Sequence, residues 1–191
     1  MNDPWLVIGS VAALLVIAWM SIVYNSLTRL NNQCRESWAD VDTELERRYD
    51  LIPNLVTVVT AYTRHERETL ESVTRARTGA IDSTGSPASQ ARDENVLVGA
   101  LRQMFVVVER YPTLKADQRF LALQKELVET EDRIQAARRF YNANVRDFNT
   151  RMEVFPSNII AHLSGFEPEE FFEIEETGIR SAPQVAPSGP E

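Results

Sequence analysis

Residues Thr113 to Phe155 read TLKADQRFLALQKELVETEDRIQAARRFYNANVRDFNTRMEVF and largely determine the architecture expected of this 191-residue chain. They contain neither glycine nor proline, the two residues that most often interrupt a helix. An apolar residue recurs at every seventh position. These positions are Phe120, Leu127, Ile134, Tyr141, Phe148 and Phe155. Six apolar residues in this register predict one long helix that packs against other helices along a seam.

A second run without glycine or proline covers residues 10–52 and has the same helical spacing. Its apolar positions lie three or four residues apart: Leu27, Leu30, Cys34, Trp38, Val41 and Leu45. Two shorter helices are expected between the long runs, over Asn54–Ala80 and Asn95–Tyr111, with the Ser83–Ser89 stretch as a loop. Their apolar faces contain Leu55, Val59, Tyr62, Leu70 and Val73, and then Leu97, Leu101, Met104 and Val108.

The fold class follows from these four helices. The sequence contains neither a run of alternating apolar residues nor a hairpin dipeptide, so no strand is predicted. We therefore expect an all-α protein, an antiparallel four-helix bundle with long helices. The connection at Asp50–Asn54 leaves two arrangements open. We favour a chain reversal, with Pro53 in the first turn of the next helix; the alternative is a kink without reversal inside one very long helix.

The end of the chain changes composition after the long helix. Pro156 is expected to stop that helix, and Ser157 to cap a short one that ends near Gly165. Six glutamates fall within residues 167–176, so residues 167–191 are predicted to be an acidic strip followed by a flexible tail over 177–191. Phe171 and Phe172 interrupt the strip. We expect them to pack back onto the bundle; the alternative is a docking strip for a protein partner.

An uncharged segment, Trp5 to Tyr24, follows the short N-terminal segment 1–4. A helix of this length rises ~30 Å, enough to cross the hydrocarbon core of a bilayer. Because no basic residue precedes it and no small-residue cleavage pair follows, it predicts an uncleaved membrane anchor over residues 5–24. Arg29 and Arg35 follow the segment. The positive-inside rule then places the N-terminus outside and the bundle in the cytoplasm, in a single-pass protein of the cell (inner) membrane.

Few residues suggest chemistry. Cys34 is the single cysteine, which excludes an internal disulfide and a cysteine-cluster zinc site. His65 and Glu66 are adjacent, but Thr69 stands where a metalloprotease motif needs its second histidine. Net charge is −8 and no basic face stands out, so nucleic-acid binding is not expected. We predict no catalytic residue, no cofactor-binding residue, no cofactor and no metal ligand.

Three side chains near the apolar seams have a structural interpretation beside a functional one. Trp38 is interpreted as a core anchor rather than a ligand platform. Glu131 and Arg138 lie close to the seam of the long helix. They are either buried polar partners or surface residues, and we favour the surface.

Several short motifs, taken together, resemble the LemA family of bacterial membrane-anchored proteins. The most specific is Asp50-Leu-Ile-Pro-Asn-Leu-Val56, preceded by Trp38-Ala-Asp-Val-Asp42. The other matching pieces are Tyr24-Asn25-x-Leu27, Arg47-Arg48, Tyr62, His65-Glu66, Pro112-x-Leu114-Lys-Ala116, Phe120, Leu123-Gln124, Glu131, Tyr141-Asn142, Phe155-Pro156 and Phe171-Phe172. The resemblance covers about residues 6–173. It implies one N-terminal membrane helix, a helical bundle over residues 25–166 and no established catalytic activity.

The sequence thus predicts a membrane-anchored interaction or scaffold protein that is not an enzyme. Its lipid contact is through residues 5–24, its protein partner is unidentified, and self-association is left open. One alternative, a regulator or adaptor of a membrane-bound peptidase, rests on the family resemblance. The other is an enzyme with an unrecognised carboxylate or His65 site.

Overall fold

The fold is described from a computed structural model over residues 4–63 and 65–175. Six helices occur in chain order: α1 Pro4–Tyr62, α2 Arg67–Ile81, α3 Pro87–Val108, α4 Pro112–Lys115, α5 Gln118–Glu153 and α6 Ser157–Leu163. Within these two ranges there is no strand. The all-α prediction is therefore confirmed for the described residues, and the predicted tail 177–191 lies outside them.

Helix α1 passes through Pro53 without reversing, so the predicted reversal at Asp50–Asn54 is wrong. A proline inside a helix has no N–H to donate to the carbonyl four residues earlier, here that of Tyr49. Arg77 on α2 replaces the missing donor, because its Nε donates to the Tyr49 carbonyl oxygen at 2.6 Å. One helix of 59 residues consequently contains both the apolar N-terminal segment and the residues around Pro53.

The predicted Asn54–Ala80 helix is wrong as one helix, because α1 ends at Tyr62 and α2 begins at Arg67. The sequence between them contains neither proline nor glycine. At the end of α1 the Thr63 hydroxyl and the Thr63 N–H both donate to the Val59 carbonyl, at 2.9 and 3.1 Å. The predicted Asn95–Tyr111 helix starts earlier than expected. Helix α3 begins at Pro87. Ser86, the residue before it, caps the helix, because its side-chain oxygen accepts a hydrogen bond from the Ser89 N–H.

The described residues form two compact units. Of the described residues, the first unit contains Pro4–Val41 and Ala137–Phe171, and the second contains those within Asp42–Ala136 and Phe172–Glu175. The buried apolar residues of the first unit include Leu27, Cys34, Val41, Tyr141, Val145 and Phe148. Those of the second include Leu45, Leu55, Val59, Leu97, Leu101, Met104, Leu127 and Ile134.

The seven-residue repeat correctly predicts the buried face of α5 but not its end. The first five positions, from Phe120 to Phe148, are buried, whereas Phe155 is 75% exposed. Helix α5 ends at Glu153, so the seam has no helix left to continue on. Phe155 was therefore wrongly assigned to the core.

The short helix α6 ends as predicted but begins differently. The Gly165 φ of +70° and the bond from the Phe166 N–H to the Ala161 carbonyl, 3.1 Å, form a glycine C-terminal motif. Ser157 is not the cap that the sequence predicted. Its hydroxyl instead donates to the carbonyls of Arg151 and Val154, near the end of α5.

Candidate functional site

A cluster of charged and polar side chains lies buried in the second unit. The Arg48 side chain is completely buried, and its Nη1 donates to Glu131 Oε1 at 3.0 Å. Its Nη2 donates to the carboxylate of Glu94, which is also completely buried. The other Glu94 oxygen accepts the hydroxyl of Tyr49. One guanidinium is thus held between two carboxylates.

Gln90 extends this buried network. It lies one helical turn before Glu94 on α3, so the two side chains share a face. Its amide nitrogen is 3.1 Å from the Tyr49 hydroxyl, 3.1 Å from Glu94 Oε1 and 3.0 Å from the carbonyl of Ala80. The network therefore draws on α1, α3 and α5 as well as on the end of α2.

The charges in the buried network determine its protonation. Burial acts to lower the pKa of Arg48, but the carboxylates of Glu131 and Glu94 raise it by more, so the guanidinium stays charged. Burial and the Glu94 carboxylate raise the pKa of Tyr49 well above its usual range. Tyr49 consequently remains a hydrogen-bond donor. Removing one partner of such a buried ion pair typically lowers the free energy of unfolding by about 3–5 kcal/mol, because the other charge is left buried and unpaired.

The apolar segment at the start of α1 contrasts with this buried network. The helix is long and apolar enough to cross a membrane, and only 6% of its most apolar stretch is buried within the protein. Leu14 and Ile17 are more than half exposed. Val23, close to its end, is buried instead. By length and composition, α1 therefore contains a candidate membrane span.

Comparison of the sequence with models of known protein families shows which family this chain belongs to. Residues 37–186 match the model of the LemA family. The chain belongs to the LemA family. The match covers α2 to α6 and most of α1 after the apolar segment.

Individual relatives support the same grouping. Magnetosome protein MamQ 2 of Paramagnetospirillum magneticum is 26% identical over 204 aligned residues, covering 89% of this chain and 75% of that protein. MamQ of Magnetospirillum gryphiswaldense is 22% identical, covering 86% and 73%. Protein LemA of Metamycoplasma hominis is 29% identical, covering 72% and 63%.

Sequence reasoning found only part of the buried network in this LemA-family chain. Glu131 was noticed near the seam, but its favoured surface placement is wrong because it is buried against Arg48. Arg48 and Glu94 were missed. The signal was present in the spacing: Arg48 lies between Leu45 and Ile52 at core intervals of three and four. Charged residues at such positions are core candidates that need a partner.

The two histidines of the chain both lie at the surface. His65 and His162 are exposed, and Arg138 is half-buried. Among residues 4–63 and 65–175 there is no group of three or more His, Cys, Asp or Glu side chains arranged to hold a metal ion.

Cys34 belongs to the core of the first unit. Burial raises the pKa of its thiol to about 11, with smaller contributions from the carboxylates of Glu169 and Asp147. A thiol with a raised pKa is a poor nucleophile at neutral pH. Trp38 is half-buried and lies against Tyr141, with ring centroids 5.2 Å apart, in agreement with its assignment as an anchor.

The acidic strip is held to the helices through its backbone. In the first unit, Asn149 bonds the N–H and carbonyl of Glu169, and the Tyr141 hydroxyl donates to the Glu170 carbonyl at 2.8 Å. Phe172 is buried, which confirms that it packs back onto the protein. Phe171 remains 37% exposed, so the same expectation is only partly met there.

A groove of about 450 Å³ opens on the second unit between α2 and α3. Small residues form much of its lining. They include Ala76, Gly79 and Gly99, and the groove is also lined by Val96 and Gln103. A methyl group added at Gly79 or Gly99 would meet no atom within 4 Å, so the surface there is open.

Proposed function

We propose that this LemA-family chain is a single-pass membrane protein whose helical part is a non-catalytic interaction scaffold. The observation that carries the proposal is the continuity of α1. The same helix contains exposed apolar residues such as Leu14 and buried core residues such as Leu45 and Val59. A continuous helix attaches the folded part to its anchor without an intervening flexible linker.

The anchor is supported by the exposure of its side chains. Large apolar side chains exposed along one segment need a partner other than water. Lipid suits this segment, because its length matches the hydrocarbon core and its aromatic residues Trp5, Trp19 and Tyr24 lie towards its ends. Arg29 and Arg35 are exposed just beyond it and favour the cytoplasmic side for the helical part.

The non-catalytic role is supported by how the charged residues are used. Glu94 and Glu131 face Arg48 inside the protein, where the carboxylates are engaged in ion pairs. A general base needs access to the proton it abstracts, and completely buried Glu94 has none. We infer that this network stabilises the packing of α1, α3 and α5.

For the second unit we propose an antiparallel four-helix arrangement. Its members are the α1 residues from Asp42, α2, α3 and the α5 residues up to Ala136. Three observed contacts support it: Arg77 with Tyr49 between α2 and α1, Arg48 with Glu94 between α1 and α3, and Phe105 with Phe120 between α3 and α5.

Membrane extraction tests the anchor. The full chain is expected to remain in the membrane pellet after an alkaline wash, because its apolar run lies in the bilayer. The Leu14→Arg, Ile17→Arg double variant is expected in the supernatant, and a matched pair at exposed α5 positions, Ala122→Arg and Ala136→Arg, in the pellet. Release of the unaltered chain would contradict the anchor.

Site-specific photo-crosslinking in membranes tests the scaffold role. A benzophenone amino acid at Gln103, which lines the groove, is expected to give a discrete adduct that the same group at exposed Ala122 does not. An adduct of twice the chain mass identifies self-association, and a heavier distinct adduct identifies another protein. Absence of adducts at both positions would contradict an interaction role for this surface.

A further inference from the structure

The segment between α5 and the acidic strip exposes an unusual amount of apolar surface. Residues 154–166 contain no Asp, Glu, Lys or Arg. Four large apolar side chains within this segment are exposed: Val154 50%, Phe155 75%, Ile159 48% and Leu163 73%. Single exposed apolar residues are ordinary, but four within ten residues form a patch that needs a partner.

Helix α6 presents two of these four side chains on one side and packs against the protein with the other. Ile160 and Ala161 are buried. Ile159 and Leu163 lie one turn apart and so share a face, which is exposed. The helix is therefore already packed against its own unit, and its apolar outer face is left uncovered.

The exposed apolar segment lies close to the end of the apolar run of α1. The ring of Phe166, just after α6, lies 5.9 Å from the ring of Tyr24 and 6.1 Å from that of Phe148. Tyr24 is the last residue of the apolar run of α1, and Val23 beside it is buried. The uncharged segment thus lies next to the carboxyl end of the candidate membrane span, within the same unit.

The charged chain that follows leads away from this level. The Glu170 carbonyl accepts the Tyr141 hydroxyl, and the Tyr141 ring packs on Trp38. Trp38 lies 14 residues beyond Tyr24 along α1. Fourteen helical residues rise ~21 Å. The Glu170 carboxylate therefore lies away from the level of Tyr24, where an anionic lipid surface would repel it, while the uncharged segment stays there.

We propose that Val154, Phe155, Ile159 and Leu163 form a second membrane contact, which inserts into the interfacial region of the leaflet where the α1 span ends. This inference rests on the proposed function, because it requires α1 to span the bilayer. Amphipathic segments of this kind sit ~5–10 Å into the headgroup and acyl boundary. The contact would fix how α1 is rotated in the membrane.

Fluorescence quenching by lipid nitroxides tests the contact on the full chain in lipid bilayers. With Cys34 replaced by Ala, single cysteines Leu163→Cys, Leu14→Cys and Ala143→Cys are labelled with an environment-sensitive fluorophore. Ala143 serves as the control outside the membrane. It is an exposed α5 residue, and its neighbour Asn144 bonds the carbonyl of Gln33, which lies beyond the apolar run of α1. Nitroxides are placed either shallow or deep in the acyl chains.

We expect Leu163→Cys to lose most of its emission to shallow nitroxides, Leu14→Cys to lose it to deep nitroxides, and Ala143→Cys to be unaffected. Quenching at Leu14 without quenching at Leu163 would overturn the second contact and leave the anchor intact. A blue-shifted but unquenched Leu163 would do the same and assign the patch to a protein. Absence of quenching at Leu14 would overturn the anchor itself, and the second contact with it.

Discussion

The Nε of Arg77 lies 2.6 Å from the carbonyl oxygen of Tyr49, the oxygen that Pro53 leaves without its helical donor. The two residues are 28 positions apart in the chain. This bond gives the backbone carbonyl of buried Tyr49 a donor that it would otherwise lack. Leaving a buried carbonyl without a donor costs about 1–3 kcal/mol. The bond explains how α1 continues through a proline at its interior.

We expect Arg77→Met to lower the free energy of unfolding by about 1–3 kcal/mol, because the Tyr49 carbonyl loses its donor. In a Pro53→Ala background the restored N–H at residue 53 takes that place, so Arg77→Met should cost clearly less. Denaturant unfolding of the detergent-solubilised chain gives the four values of this double-mutant cycle. Equal costs in both backgrounds would show that Arg77 does not substitute for the missing N–H.

Removing the charge at the centre of the buried network should be far more costly than removing its exposed neighbour. Arg48→Met leaves Glu94 and Glu131 without their shared cation and is expected to cost about 3–5 kcal/mol. Arg47, the preceding residue, pairs with Glu44 at the surface. Arg47→Met should cost about 0–1 kcal/mol in the same unfolding measurement. Similar costs for both variants would remove the structural role of the network.

Burial along α5 predicts a sharp contrast between two repeat positions. Ile134 is completely buried, so Ile134→Ala should cost about 2–5 kcal/mol. Phe155→Ala, measured in detergent, should change stability by less than about 0.5 kcal/mol, because Phe155 is exposed beyond the end of the helix. A large cost at Phe155 would mean that the repeat continues past Glu153.

These contrasts show what apolar spacing predicts and where it stops. Spacing correctly placed Leu27, Cys34, Val41 and Leu45 in the core. Arg48 fits the same intervals, although it was not predicted to be buried. Spacing failed at Phe155 because counting by sevens does not detect the end of a helix. The continuity at Pro53 was beyond local reasoning, because the donor that permits it is supplied by α2.

The acidic residue before α5 should make stability depend on pH. Asp117 accepts the Tyr62 hydroxyl at 2.6 Å, and its other oxygen accepts the N–H groups of Arg119 and Phe120. The Tyr62 bond is the main cause that lowers the Asp117 pKa from 3.8 to about 2; partial burial opposes it, and the backbone bonds add to it. A lowered pKa means stabilisation that is present above pH 3.8 and lost as the pH falls towards about 2.

Asp117→Asn removes this titration. Between pH 3.8 and about 2, the melting temperature of the unaltered chain should therefore fall more steeply than that of Asp117→Asn. Asp50→Asn, at an exposed position on α1, serves as the matched control and should follow the unaltered chain. Parallel slopes for all three proteins would indicate that the Tyr62–Asp117 bond does not form in solution.

Whether one uninterrupted helix leads from the apolar run through Pro53 is tested most directly by a distance within α1. Spin labels at Asp42→Cys and Thr60→Cys, both exposed positions, are introduced with Cys34 replaced by Ala, and their separation is measured by pulsed electron resonance in lipid bilayers. A continuous helix places the two positions 18 residues apart, ~27 Å along the axis. A reversal at Asp50–Asn54 would bring them to neighbouring helices, ~10 Å apart, and would contradict the continuous anchor-to-core helix on which the proposed function depends.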